Sequence, residues 1–119
     1  MSKPIIEHYT FGRMTVNGKV FTSDLIIHAD GRIQDQWWRQ RGHDLVPADI
    51  DALMAAPPRC LIIGTGADGR MSVDKRVLEQ CRTQGIALEA LPTAEAARRF
   101  NAAVAQEGTS VAGCFHLTC

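Results

Sequence analysis

The chain has 119 residues, in which 13 lysines and arginines balance 13 aspartates and glutamates. That length suits one domain, which buries roughly two thirds of its unfolded surface, and the balanced charge gives no global field for nucleic acid or an anionic membrane. No apolar run approaches the roughly 20 residues of a membrane helix, and the first residues, from Met1 to His8, hold no apolar stretch of secretory-signal length.

A cytoplasmic location is therefore the expectation. With it, the four cysteines are expected as reduced thiols rather than as two disulfides. Cys60 and Cys81 fall in apolar or helical patterns and read as small core residues.

From Pro4 to Trp38 the pattern is that of β structure. Tyr9 and Phe11 alternate before Gly12 breaks the run. Met14, Val16, Val20 and Phe21 flank Asn17-Gly18, a strong hairpin signal because both central positions of a type I′ turn need positive φ. Asp24 to His28 is a third apolar run, Asp30-Gly31 a second tight turn, and Arg32 to Trp38 a returning strand. The first third thus reads as an antiparallel meander. Arg39 to Asp44 is charged and contains Gly42, so it reads as a surface loop. Pro47 opens a short helix whose apolar face is Ile50, Leu53 and Met54, and Pro57-Pro58 stops it.

From Cys60 the pattern changes. Leu61-Ile62-Ile63 is a continuous apolar strand, as expected of one covered on both faces. Ser72 is expected to cap a helix with Val73, Val77, Leu78 and Cys81 inward, and Gly85 to end it. Ile86 to Leu91 is the next strand. Thr93 is expected to cap the next helix, with Ala96, Ala97, Phe100 and Val104 inward and Gly108 at its end. Val111 to Leu117 is the last strand. The fold class is α/β in a single domain, residues 1–119: an N-terminal antiparallel β meander packed on a three-strand parallel βαβαβ unit.

Gly64, Gly66 and Gly69 spell G-x-G-x-x-G between a strand and a helix, and Glu89 ends the following strand, where an acidic residue would meet a ribose. In the dinucleotide fingerprint the third glycine belongs to the opening helix. Here Arg70-Met71 intervene before Ser72, so Gly69 reads as a turn residue and Glu89 as a residue free to face solvent. The plainer reading is a structural glycine turn. The sharper one is an anion or nucleotide site at Gly64, Thr65, Gly66 and Ser72, with amide groups and a helix N-terminus as donors.

Cys114, His116 and Cys119 form a second cluster. Strand alternation puts Cys114 and His116 on one face, where both could ligate zinc. A structural zinc site wants four ligands, usually in paired motifs, and there is no C-x-x-C pair. A catalytic thiol at Cys114 would need a positive neighbour to lower its pKa, which the local sequence does not supply. The expectation is a core thiol at Cys114, a strand residue at His116, no metal and no cofactor. Trp37-Trp38, beside Arg39 and Arg41, reads as one core and one surface aromatic. The candidate partner-binding residues are Trp37, Trp38 and Arg41, because aromatics and Arg are enriched in interface cores.

Nearly the whole chain resembles the Mth-type domain family, a domain of unknown function. The residues that carry the resemblance are Tyr9, Gly12 and the Val16 to Gly18 hairpin, then Trp38 with Gly42-His43 and Asp49. The strand and turn from Leu61 to Gly66 follow, then Gly85-Ile86, Thr93 with Ala96, Phe100-Asn101 and the ending from Phe115 to Cys119. That ending is similar to the branch with the adipogenesis-associated Mth domain-containing protein. A more distant branch contains mitochondrial complex I assembly factor three. Phe100 stands where many relatives carry Tyr, and Thr109 where Arg often follows the Glu-Gly pair.

The resemblance implies a small α/β fold and no established enzyme activity. The expected function is a cytoplasmic, non-enzymatic interaction or assembly protein with an unidentified protein partner, its self-association left open. The alternative is a small nucleotide- or anion-binding enzyme that uses the turn from Gly64 to Ser72.

Overall fold

Runs of branched and aromatic side chains, apolar at every position, need cover on both faces, and the fold is arranged to give it. The computed structural model describes residues 4–107 and 110–119. Its central sheet has five strands in the order β5 (Ile33–Gln34), β4 (Leu25–Ile27), β10 (Val111–His116), β7 (Cys60–Thr65), β9 (Ala87–Leu91). Strands β10, β7 and β9 run parallel, and β4 and β5 complete the sheet as an antiparallel pair. A separate three-stranded antiparallel sheet holds β1 (Ile6–Thr10), β2 (Arg13–Val16) and β3 (Lys19–Phe21).

The α/β class and the parallel unit are as expected. The meander is shorter than the sequence suggests, because the third apolar run, β4, pairs with β10 instead of β3. The return from Arg32 to Trp38 is a strand only at Ile33–Gln34. The hairpin at Asn17-Gly18 has the expected positive φ at both residues, 50° and 81°.

Period-two alternation sorts the central strands into two cores. One face gathers Leu25, Ile27, Ile62, Val111 and Phe115 beneath helix α3 (Thr93–Glu107) and the small sheet, around Phe100. Phe100 and Phe115 meet edge to face, with ring centroids 5.7 Å apart. The other face gathers Ile26, Leu61, Ile63, Ala112 and Cys114 with Trp37, Leu45, Val77 and Cys81. Its cover is the 3₁₀ turn Pro47–Ile50, the single helical turn α1 (Asp51–Met54) and helix α2 (Lys75–Thr83).

Helix α2 starts later than Ser72. Ser72 and Val73 form β8, which pairs in parallel with β6 (Asp44–Leu45). The cap is Asp74, whose carboxylate accepts from the Arg76 N–H at 2.8 Å. Val77 and Cys81 face inward as expected, whereas Leu78, also expected inside, is 45% exposed. Gly85 follows the helix with φ 71°, as expected. The helix end expected at Gly108, and the Thr109 position, lie outside the described residues.

Helix α3 is tied to the small sheet by one side chain. Asn101 Oδ1 accepts from Ile6 N–H at 2.9 Å, and Asn101 Nδ2 donates to the Ile6 carbonyl at 2.8 Å. The amide thus completes β1 like a ladder residue. Asn101→Ala leaves both partly buried backbone groups unpaired and should cost about 1–3 kcal/mol, read as a lowered urea midpoint.

The Asp74 cap also predicts an acid response. Hydrogen bonds from Arg76, side chain first and then backbone, pull the Asp74 carboxyl down to about 2. A depressed folded-state pKa adds stability above the unfolded value, about 3.9, and that contribution fades as pH falls toward 2. Asp74→Ala should lower the urea midpoint at neutral pH, with the gap from the parent protein closing as the pH approaches 2.

Candidate functional site

The chemistry-bearing residues collect where the C-terminal ends of β7 and β10 meet the loop after β5. Asp24 opens β4 and is buried. Its Oδ2 lies 2.8 Å from Arg39 Nη2 and 2.7 Å from His116 Nδ1, and its Oδ1 accepts from Leu117 N–H at 2.7 Å. Burial works to raise the Asp24 pKa. The bonds from His116, Leu117 and Arg39 outweigh it and hold the carboxyl below its ordinary value.

Arg39 belongs to a segment that reads as surface loop, yet its side chain is only 5% exposed. The guanidinium stacks 5.0 Å from the Trp37 ring, and its Nε donates to Gly42 O at 2.6 Å. Trp37 is in turn pinned by its indole N–H to the Asp49 carbonyl at 2.9 Å. The Asp49 carboxylate accepts from the Gln40 and Val46 amides, which fixes the rest of the loop.

The Asp24 carboxylate sets the His116 tautomer. Nδ1 lies 2.7 Å from Asp24 Oδ2 and 3.1 Å from Arg39 Nη2. We assign the ring proton to Nδ1, because the carboxylate is the nearer partner and Nη2 already donates to that same oxygen at 2.8 Å. Nε2 is then a lone-pair acceptor. It is buried and has no hydrogen-bond partner among the described residues. His43 meets the same ring edge-on, with centroids 5.7 Å apart, and the His43, His116 and Cys119 donor atoms lie within 4.8 Å of one another.

Cys114, expected beside His116, sits deeper. It is fully buried in the second core, where burial pushes the thiol far above its usual range. It is a packing residue, with no access to solvent or substrate. The thiol that joins His116 is Cys119.

The glycine turn lies against this cluster and is filled by the chain itself. Gly66 N–H donates to Thr93 Oγ1 at 2.8 Å, Ala67 N–H to Thr118 O at 3.3 Å, and Gly69 N–H to Gly66 O at 3.1 Å. Arg70, Met71 and Ser72 amides go to Cys119, Thr65 and His43 carbonyls. Gly64 is needed for close packing, since a Cβ there would sit 2.9 Å from Thr93 Oγ1 and 3.0 Å from Phe115 Cδ1. Gly66 has φ 111°, and its Cβ would sit 2.5 Å from Thr118 O.

Thr93 does not cap its own helix. Its hydroxyl donates to His116 O at 2.6 Å while accepting from Gly66. Ser72 is in a strand, so the helix N-terminus that made it an anion donor lies at Asp74, where a carboxylate occupies it. Glu89 pairs with Arg99 of α3 at 2.6 Å.

Of the candidate partner residues, Trp37 is 3% exposed and offers no surface, whereas Trp38 is 71% exposed. Arg41 is exposed, its carbonyl accepts from Asp44 N–H at 3.3 Å in an isolated antiparallel backbone bridge, and its charge is felt at Asp74. Sequence reasoning missed Asp24 and Arg39. The signal was slight: a carboxylate directly before an apolar triplet, and an arginine two places after a tryptophan.

Fold and site together define a small α/β domain with a buried carboxylate–guanidinium–imidazole group at the mouth of a parallel sheet. The chain belongs to the family described as a protein of unknown function (DUF498/DUF598), whose model matches residues 6–116. It is similar to a conserved hypothetical protein from Pyrococcus horikoshii, at 25% identity and TM-score 0.76 over 96% of this chain and 98% of that one. A protein from Xanthomonas campestris is 28% identical, with TM-score 0.78 over 98% of this chain and 86% of that one. A Bordetella pertussis protein with a Mth938-like domain shares the fold, with TM-score 0.62 and 19% identity over 96% and 85% of the two chains. The Mth-type resemblance read from the sequence is thereby confirmed at the level of the family.

Asp24→Asn should be strongly destabilising. It leaves the buried Arg39 cation uncompensated, a loss of about 3–5 kcal/mol, read as a lowered urea midpoint at neutral pH. A loss below about 1 kcal/mol, the size typical of an exposed ion pair, would contradict the buried arrangement.

Proposed function

We propose that this chain is a non-enzymatic interaction or assembly protein of the cytoplasm that binds a protein partner through Trp38. The observation that carries the reading is an indole 71% exposed directly after one that is 3% exposed. Trp37 is locked by its bond to Asp49 and its stacking on Arg39. The backbone that bears Trp38 is therefore already ordered, and ordering costs on binding are small. Tryptophan is also the residue type most enriched among energetic hot spots.

Two further observations favour a binding module over a nucleotide enzyme. The turn from Gly64 to Ser72 spends its amides on Thr93, Thr118, Cys119 and other groups of the same chain. Glu89, the residue in the ribose position, is held by Arg99. A cytoplasmic setting agrees with Cys81, Cys114 and Cys119 being free thiols. Among the described residues no helix is long and apolar enough to cross a membrane.

The test is affinity capture with the whole chain as bait, beside Trp38→Ala. A surface substitution should change stability by no more than about 0.5 kcal/mol. At a hot spot it should weaken a captured partner by at least about 2 kcal/mol, roughly 30-fold. A partner held equally well by both baits, or no reproducible partner at all, would overturn the proposal.

A further inference from the structure

We propose that His43, His116 and Cys119 form a binding site for a zinc-class divalent ion, with three protein ligands and a fourth position open. Their donor atoms already lie within 4.8 Å of one another. Zinc bonds of about 2.0–2.3 Å in tetrahedral array separate neighbouring donors by roughly 3.5 Å. The remaining gap falls to the two accessible ligands, since His43 is exposed and Cys119 half-buried.

His116 is the fixed ligand. It is 5% exposed, with Nδ1 held by Asp24 at 2.7 Å, and its Nε2 is buried without a hydrogen-bond partner among the described residues. A buried imidazole lone pair is a group in want of an acid, and a metal ion is one. Carboxylate–histidine–metal chains of this form fix the ring and raise its basicity. Asp24 would serve as that orienting partner, with Arg39 neutralising its charge at 2.8 Å.

The other two ligands rest on ordered backbone. The His43 carbonyl accepts from Ser72 N–H at 2.7 Å, and the Cys119 carbonyl accepts from Arg70 N–H at 3.4 Å. Gly66 matters here for a reason unrelated to phosphate: a side chain in its place would push Thr118 and Cys119 away. Two imidazoles and a thiolate suit zinc or another borderline-soft ion, and they suit calcium or magnesium poorly. On binding, the Cys119 thiol loses its proton to solvent and its sulfur bonds the metal. Exposed His43 leaves the open position facing water, as in zinc sites that hold a water or a substrate.

The test uses the whole reduced chain, stripped with chelator and titrated with cobalt(II) alone, then with zinc(II). One cobalt per chain should bring a thiolate-to-metal charge-transfer band and the intense visible bands of a tetrahedral ion, and zinc should erase both. Cys119→Ser should abolish the charge-transfer band, while Cys60→Ser, outside the site, should leave it intact. His43→Ala should weaken binding at least tenfold. Zinc should also slow alkylation of Cys119 by iodoacetamide at least tenfold. A titration without a thiolate band, a band that survives Cys119→Ser, or alkylation indifferent to zinc would each overturn the site.

Discussion

The buried carboxylate of Asp24 is the constraint on which this end of the molecule depends. An unpaired charge there would be prohibitive, so the chain must bring donors to it. They come from places far apart in sequence: Arg39 from the loop after β5, and His116 and the Leu117 amide from the end of β10. Satisfying one carboxylate therefore docks the loop and the last strand against the start of β4. The stacking of Arg39 on Trp37 carries the same order into the turn at Asp49.

A second set of bonds completes the mouth of the sheet. Thr93 joins the glycine turn to the His116 carbonyl, and Tyr9 and Gly12 of the small sheet both donate to the Leu117 carbonyl, at 2.8 Å. The Tyr9 phenol pKa is raised by burial and then by the carboxylates of Asp24 and Asp68, so it stays a donor. Residues 116–119 are thus held from three sides. The glycines that imitate a dinucleotide fingerprint exist to let this segment and the start of α3 come close to β7.

Periodicity made the parallel unit legible: the apolar triplet at Leu61, the helix stop at Gly85 and the last strand all carry local signals. The hairpin at Asn17-Gly18 was legible for the same reason, since it needs only positive φ at adjacent residues. The pairing of β4 with β10 was not, because three apolar residues satisfy any buried strand and nothing local selects the partner. Ser72 and Asp74 are both good caps, and the choice between them was made by the pairing of β8 with β6. At the site, His116 and Cys119 were visible as donor types. Their true company was hidden, because Asp24 and Arg39 are ordinary surface residues until the fold buries them. Trp37 and Trp38 divide as adjacent residues should, one inward and one outward, although the backbone there is not a strand.

One ring decides the chemistry of this site: Asp24 holds the His116 proton on Nδ1 and leaves Nε2 as a bare acceptor. Nitrogen-detected NMR of the histidine side chains reads this directly in the metal-free chain. At a pH where the ring is neutral, its proton should sit on Nδ1, which faces Asp24, and the Nε2 shift should move on adding zinc. A neutral ring with its proton on Nε2 would contradict that arrangement.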